Sequence, residues 1–336
     1  MDSSLLTTVA ILNNIRLCIF YIYFFAIVFG IIGHIINILV LTQLKLFRDN
    51  RWAFYLIIES VVDILYNLVM FTSNLLQIIY TIDPQSTVLV WCRSRLILFQ
   101  TCTLISSFTV CYAACDQFFS TSYRLNLRRM FTFKLARYVL LISSCIWLLH
   151  SIMFGLFFNI NSSLGCVITN PVFLHYSTWF FYPVLYGPLQ IAIAALSSLS
   201  AFQNVRRIVR QQVPIIRRRL DQQMTAMILV RALFYIICSL PYSIYRMIII
   251  NKPNPQTDVL QYATRQLLFA IFTCWTGLNF TISFYIFFVT SARYRSQVKY
   301  LLVKKYWRRV KHLCSSNRNQ VVPNNAPSSN SSMELE

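Results

Sequence analysis

The chain has 336 residues, of which 57% are hydrophobic and only 12% charged, and it carries a formal net charge of +20. A soluble domain runs near half apolar and a quarter charged, so this composition excludes a soluble single domain. A strong positive charge suits nucleic acid, but no soluble basic domain with interleaved aromatics exists here, and anionic inner-leaflet lipid beside basic loops explains the excess better.

A helix needs ~20 apolar residues to cross roughly 30 Å of hydrocarbon. Between Arg16 and Lys45 lie 28 residues without Asp, Glu, Lys or Arg, which predicts a first span. It lacks a basic leader and is too long for a signal-peptide core, so it is expected to stay in place as an anchor. The second span covers Trp52 to Tyr80 and carries Glu59 and Asp63; the third runs from Leu96 to about Ser120. From Arg137 to Arg206 there are 68 intervening residues without a charge, divided by a polar patch from Asn159 to Asn170, which predicts spans four and five. Met224 to Ile250, containing Arg231, and Gln261 to Val289 complete seven. Pro188 and Pro241 fall in spans five and six, where a missing N–H kinks a helix and a neighbouring helix satisfies the freed carbonyl. No two-halves repeat of the transporter kind is visible.

Lys and Arg beside spans mark the cytoplasmic side. The first, third and fifth gaps and the tail hold 3, 5, 6 and 9 of them, and the opposite side holds Arg16, Arg93, Arg95, Arg246, Lys252 and Arg265. The predicted organisation is an extracellular N-terminus over 1–16 and a seven-span region over 17–289. An amphipathic basic segment lying on the inner leaflet follows over 290–312, then a disordered cytoplasmic tail over 313–336. In that scheme Asn161-Ser162-Ser163 is an extracellular glycosylation sequon. Cys314, at the end of the basic run Lys304 to Lys311, is either a palmitoylation site or a free tail thiol.

Six of the ten cysteines lie within spans and read as small apolar residues, whereas Cys92 and Cys166 both face the oxidising side, where cysteines can bridge. The four histidines are scattered and no CxxC occurs, so no metal site is predicted. A charge buried in hydrocarbon costs roughly 2.5 kcal/mol or more unless it finds a partner, so the ionisable groups inside spans are informative. Asn37 and Asp63 lie near mid-membrane and read most simply as a hydrogen-bonded pair between the first two spans. Ser106, Asn279 and Ser283 lie at matching depths, and with Asp63 they form either a pocket for a hard monovalent cation such as sodium, or a proton, or a hydrated polar cluster. Glu59 and Arg231 lie deeper toward the basic side. They are expected either to pair in a resting state or to be relieved separately, Arg231 by snorkelling and Glu59 by protonation.

Gly33, Asn37 and Val40, then Asp63, Cys92, Asp116-Gln117-Phe118, Trp147, Cys166, Pro188 and Pro241 resemble, in order and spacing, the landmarks of rhodopsin-like G protein-coupled receptors. The resemblance covers residues 20 to 305. Around Asn204-Val205-Arg206-Arg207 and Arg217-Arg218-Arg219-Leu220-Asp221 it is closest to invertebrate orphan and peptide-type groups. It implies a Cys92–Cys166 disulfide, a sodium pocket at Asp63, Ser106, Asn279 and Ser283, and a switch at Asp116, Gln117, Phe118, Pro241 and Phe287. It also implies a G-protein partner facing the loops between Leu127 and Lys134 and between Val205 and Leu220. The departures are specific. Gln117 stands where the family has Arg, Ser239 where it has Trp, Ser283 where it has Asn, and Phe284 and Phe287 where it has Pro and Tyr.

Phe99 occupies the position at which amine receptors carry an Asp counter-ion, and no Lys occurs in 261–289 to hold retinal, so amine transmitters and opsin chemistry are excluded. Phe99, Tyr186, Tyr245, Arg246 and Phe269 form the candidate ligand site, aromatic with a cationic corner, which suits a peptide or a small organic molecule. No catalytic constellation is apparent, so enzyme activity is not expected. The sequence reading is therefore an all-α, seven-helix plasma-membrane receptor. The alternative is a ligand-binding seven-helix protein with weak or absent coupling.

Overall fold

The computed structural model describes residues 3–43, 51–80, 84–122, 124–161, 165–210, 215–250 and 259–307. Its long helices are labelled in chain order: α1 (Ser3–Gln43), α2 (Arg51–Ile79), α3 (Leu89–Thr121), α4 (Phe133–Leu156), α5 (Pro188–Arg210), α6 (Ile215–Ile250) and α7 (Val259–Gly277). Short helices α8 (Ser283–Thr290) and α9 (Ala292–Lys299) follow. Six helices are long and apolar enough to cross a membrane, and α7 with α8, bent by 56° at a short break, makes a seventh if the pair is one span. This is the architecture of an all-helical multi-pass membrane protein.

Burial supports the same conclusion, because polarity is turned inward. His34, Asn37, Glu59, Asp63, Asn67, Arg231 and Asn279 are all buried, while α4 exposes Tyr138, Leu141, Ile142, Leu149 and Met153. Those five positions lie on one face at helical spacing, the pattern of a helix whose outer side meets lipid. α1 packs on α2 and α7, α2 on α3, and α3 at the centre on α4, α5 and α6.

Several boundaries differ from the sequence reading. α1 begins at Ser3 because nothing before Gly30 breaks a helix, so most of the expected 1–16 terminus is helical. α3 begins at Leu89 and takes Arg93 and Arg95 into the helix. Both charges are satisfied there, Arg93 by the Phe158 carbonyl and Asn159 Oδ1 at 2.9 and 2.7 Å, and Arg95 by Ser73 Oγ and Gln85 Oε1 at 2.9 and 2.5 Å. α6 begins at Ile215, well before the expected Met224.

The polar patch between α4 and α5 forms the one strand pair among the described residues, β1 (Phe158–Asn161) against β2 (Gly165–Ile168). Gly165 has φ +71°, a left-handed conformation that favours glycine. After the hairpin, Asn170 caps a short helix, Pro171–Tyr176, by accepting from the amides of Val172 and Phe173 at 2.9 and 3.1 Å. A ten-residue π-helix, Ser177–Tyr186, carries Pro183 and ends at Gly187 before α5. A Cβ on Gly187 would overlap the Ser243 hydroxyl, so glycine there lets α5 and α6 approach closely.

α6 continues through Pro241. Proline removes the N–H that Ile237 would otherwise accept from, and α7 provides substitutes. Trp275 Nε1 donates to the Ile237 carbonyl at 3.1 Å, and Thr276 Oγ1 donates to the Cys238 carbonyl at 3.0 Å.

The chain divides into two compact units, Met1–Ala292 and Arg293–Glu336. In the second, the helix through Lys299 runs on as a π-helical turn, Tyr300–Trp307, that exposes Tyr300, Leu302 and Val303. Cys314 and the tail lie outside the described residues.

Candidate functional site: a polar node at the break between α7 and α8

The break between α7 and α8 consists of a 3-10 turn, Leu278–Phe280, followed by the non-helical Thr281 and Ile282. No proline stands here, so side chains from other helices satisfy the carbonyls the break leaves open. The Phe280 carbonyl accepts from His34 Nε2 of α1 at 2.9 Å and from Asn67 Nδ2 of α2 at 2.8 Å. The Asn279 carbonyl accepts from Arg231 Nη2 of α6 at 3.2 Å, and Asn279 Oδ1 accepts from Arg231 Nη1 at 2.5 Å.

Arg231 also donates from Nε and Nη2 to Glu59 Oε1, at 2.8 and 2.5 Å, and both side chains are almost fully buried. Of the two readings open for these charges, the structure contains the ion pair. Its guanidinium joins α2, α6 and the α7 break at one point. Beside it lies a cavity with room for about one water, walled by Trp52, Leu56, Val110, Ile228 and Phe287. Phe287 is buried and meets the Trp52 ring edge-on at 5.8 Å. A Tyr at this position would bring a hydroxyl to this wall, whereas Phe keeps it apolar.

Asp63 Oδ1 accepts from Ser106 Oγ at 2.6 Å, and Asp63 Oδ2 lies 4.0 Å from His34 Nε2. Asn37 donates to Ser60 Oγ at 2.8 Å, so its observed partner on α2 is one turn from the Asp63 that the sequence suggested. Asp63 Oδ2, Ser283 Oγ, Asn279 Nδ2 and His34 Nδ1 are buried without a hydrogen-bond partner among the described residues. Ser106 thus bonds Asp63 directly, and Ser283 is buried just past the break, while Arg231 holds the Asn279 oxygen and brings a positive charge of its own. Two carboxylates, Glu59 and Asp63, face one guanidinium, which leaves one negative charge at the node. A proton, a water or the sodium ion implied by the resemblance each suits a carboxylate beside a hydroxyl.

At the end of the bundle away from the hairpin, Asp116 forms an ion pair with Arg51 at 3.4 Å, and Arg51 also donates to the Phe131 carbonyl. Gln117 Nε2 donates to Thr225 Oγ1 of α6 at 2.6 Å, and the Phe118 carbonyl accepts from Asn204 Nδ2 of α5 at 3.5 Å. The Asp-Gln-Phe triplet therefore ties the end of α3 to three other helices without a third-helix arginine.

At the hairpin end, Cys92 and Cys166 form a disulfide with a Cα–Cα distance of 5.9 Å, fixing β2 to α3. Tyr186 and Phe269 belong to the aromatic cluster beside it, together with Tyr182 and Tyr242, and Arg246 lies over the Tyr182 and Phe269 rings. Tyr245 turns toward α7, stacking near Phe272 at 5.1 Å and donating to the Arg265 carbonyl at 2.7 Å. Phe99 is not in this group. It packs on Tyr66 at 5.5 Å, in a separate cluster with Tyr23, Met70 and Phe280. Asn161 is exposed at the end of β1, and the rest of its sequon lies outside the described residues.

His34, Asn67, Ser60, Arg51 and Thr225 contribute to these sites and were not singled out from the sequence. The first two carry a readable signal: His34 is one turn from Asn37, and Asn67 one turn from Asp63, so each shares a helix face with a residue already suspected. Arg51 and Thr225 carry none, since a basic residue at a span's end is expected for topology alone.

The chain matches no protein-family model and no curated protein sequence.

Proposed function

We propose that this protein is a plasma-membrane receptor of the rhodopsin-like G protein-coupled class, with its N-terminus outside, transmitting the binding of an extracellular ligand to a heterotrimeric G protein. The observation that carries the reading is the Arg231 node. One guanidinium bonded to Glu59 on α2 and to Asn279 at the α7 break restrains α2, α6 and α7 together, and a signal is a change in that restraint. Agonist must favour the arrangement in which the node is broken, because only differential binding shifts a population. Gln117 bonded to Thr225 supplies the second restraint between α3 and α6, at the place where family members use an arginine.

A second reading is a ligand-binding seven-helix protein that couples weakly or not at all, acting as a decoy or scaffold. Gln117 favours it, because an uncharged amide replaces the side chain that contacts the G protein in the family.

Ligand-independent nucleotide exchange on each class of G-protein α subunit separates the two, with wild type, Arg231→Gln and Gln117→Arg compared in nanodiscs. The receptor reading predicts that Arg231→Gln raises exchange above wild type on at least one α subunit. Exchange by Gln117→Arg alone supports the second reading. Correctly folded variants that are all silent overturn the receptor reading.

A further inference from the structure

The aromatic cluster beside the disulfide contains a guanidinium whose donors are not all met among the described residues. Arg246, on α6, donates from Nη2 to the Tyr182 hydroxyl at 2.7 Å and sits 4.7 Å from the centre of the Tyr182 ring and 5.5 Å from that of Phe269. Its Nε is buried with no partner among the described residues, although an arginine presents five donors. Among the described residues no carboxylate pairs with it. The carboxylates whose side chains are described are Glu59, Asp63 and Asp116, and they are engaged by Arg231, Ser106 and Arg51 respectively. Arg246 lies fifteen residues beyond Arg231 on α6, about 22 Å along the axis, far from that node. By contrast Arg93, Arg95, Arg51 and Arg231 each hold at least two oxygen acceptors of other elements, where Arg246 holds the Tyr182 hydroxyl.

The surroundings define what would complete it. Tyr182, Tyr186, Tyr242 and Phe269 follow one another with ring centroids 5.6 to 6.3 Å apart, the first pair edge to face and the next two tilted. Tyr182 and Tyr186 are supplied by the π-helix, a rare conformation found mostly at functional sites. Arg246 is partly exposed as a residue while its Nε is enclosed, so an acceptor for Nε has to enter the ring cluster. A planar fork with open donors takes a carboxylate in bidentate fashion, and the rings take an apolar body. A single guanidinium selects one negative charge.

We infer that Arg246 and the rings of Tyr182, Tyr186, Tyr242 and Phe269 form a binding site for a carboxylic acid carried on an aromatic or long apolar body, as a free acid or as the C-terminus of a peptide. The inference rests on the receptor reading for the ligand's arrival from outside, and on the geometry alone for its chemistry.

The test uses the purified full chain in nanodiscs and follows its thermal unfolding. Probes are phenyl- and indolyl-alkanoic acids, long-chain fatty acids and short peptides ending in Phe, each against its primary amide. At least one acid is expected to raise the unfolding temperature where its amide does not. Arg246→Gln should weaken that acid's binding at least tenfold, and Arg246→Lys should retain part of it. Response to the free acids or to the peptides identifies the source. Acids and amides that act alike, or an Arg246→Gln variant that binds the acid as well as wild type, overturn the inference. So does a double-mutant cycle with Asp258→Asn showing that Arg246 is fully coupled to Asp258, which lies outside the described residues. The readout needs no G protein: acid binding without nucleotide exchange leaves this site standing and counts against the receptor reading, and exchange without acid binding does the reverse.

Discussion

Arg231 holds four hydrogen bonds at the buried node, and each partner depends on it for neutralisation or for a donor. Removing one member of a buried pair leaves an uncompensated charge and costs about 3–5 kcal/mol. Glu59→Ala and Arg231→Ala should therefore each lower the unfolding temperature in detergent markedly, whereas Glu59→Ala combined with Arg231→Met should recover part of the loss. A double variant no more stable than the two effects added would show that the pair is not coupled. Charge reversal probes signalling separately, and a double swap behaving like either single swap in nucleotide exchange means the pair is not a switch. Glu59, Asp63 and Arg231 were legible from sequence because an ionisable group inside an apolar run needs a reason. For His34 only its place on the Asn37 face was legible; its bond to the Phe280 carbonyl was not, since that acceptor is open only because the helix breaks there.

The element that departs most from expectation is the fifth span, where Pro188 alone suggested a kink and the chain instead forms a π-helix, a glycine and then α5. Gly187 makes the close pass against α6: a Cβ there would overlap Ser243 Oγ and lie 2.8 Å from Ser243 Cβ. Overpacking of this kind costs roughly 1–3 kcal/mol. Gly187→Ala should thus lower the unfolding temperature, and Gly187→Ala with Ser243→Gly should regain most of it; a neutral Gly187→Ala would show that the two helices do not approach as described. The apolar lengths made the long helices readable, but not the π-helix or the hairpin. Those arise from backbone pairing and close approach, which leave no periodic trace. The α7 break was hidden for a related reason, since Phe284 stands where a proline would have announced it, and the donors that stabilise the break come from α1, α2 and α6.

Across the whole molecule, one covalent link spans 74 residues, from the start of α3 to the hairpin. Closing a loop of that length in the unfolded chain contributes about 4 kcal/mol in the chain-entropy account. Cys92→Ser, Cys166→Ser and the double variant should be destabilised to the same extent, as measured by unfolding under non-reducing conditions; unequal effects would mean that one cysteine has a second role. The membrane class was legible from the distribution of apolar and basic residues, because burial in lipid turns that distribution directly into topology. The bond between α6 and α7 was not, and it has a mechanical consequence. Trp275 supplies to Ile237 the donor that Pro241 withholds, and Thr276 adds a bond to Cys238, so swinging α6 at its proline away from α7 would strand the Ile237 carbonyl in hydrocarbon. The least costly motion keeps those contacts intact, which makes the hairpin-side half of the two helices a single lever, with its fulcrum at the proline and its short arm at Arg246.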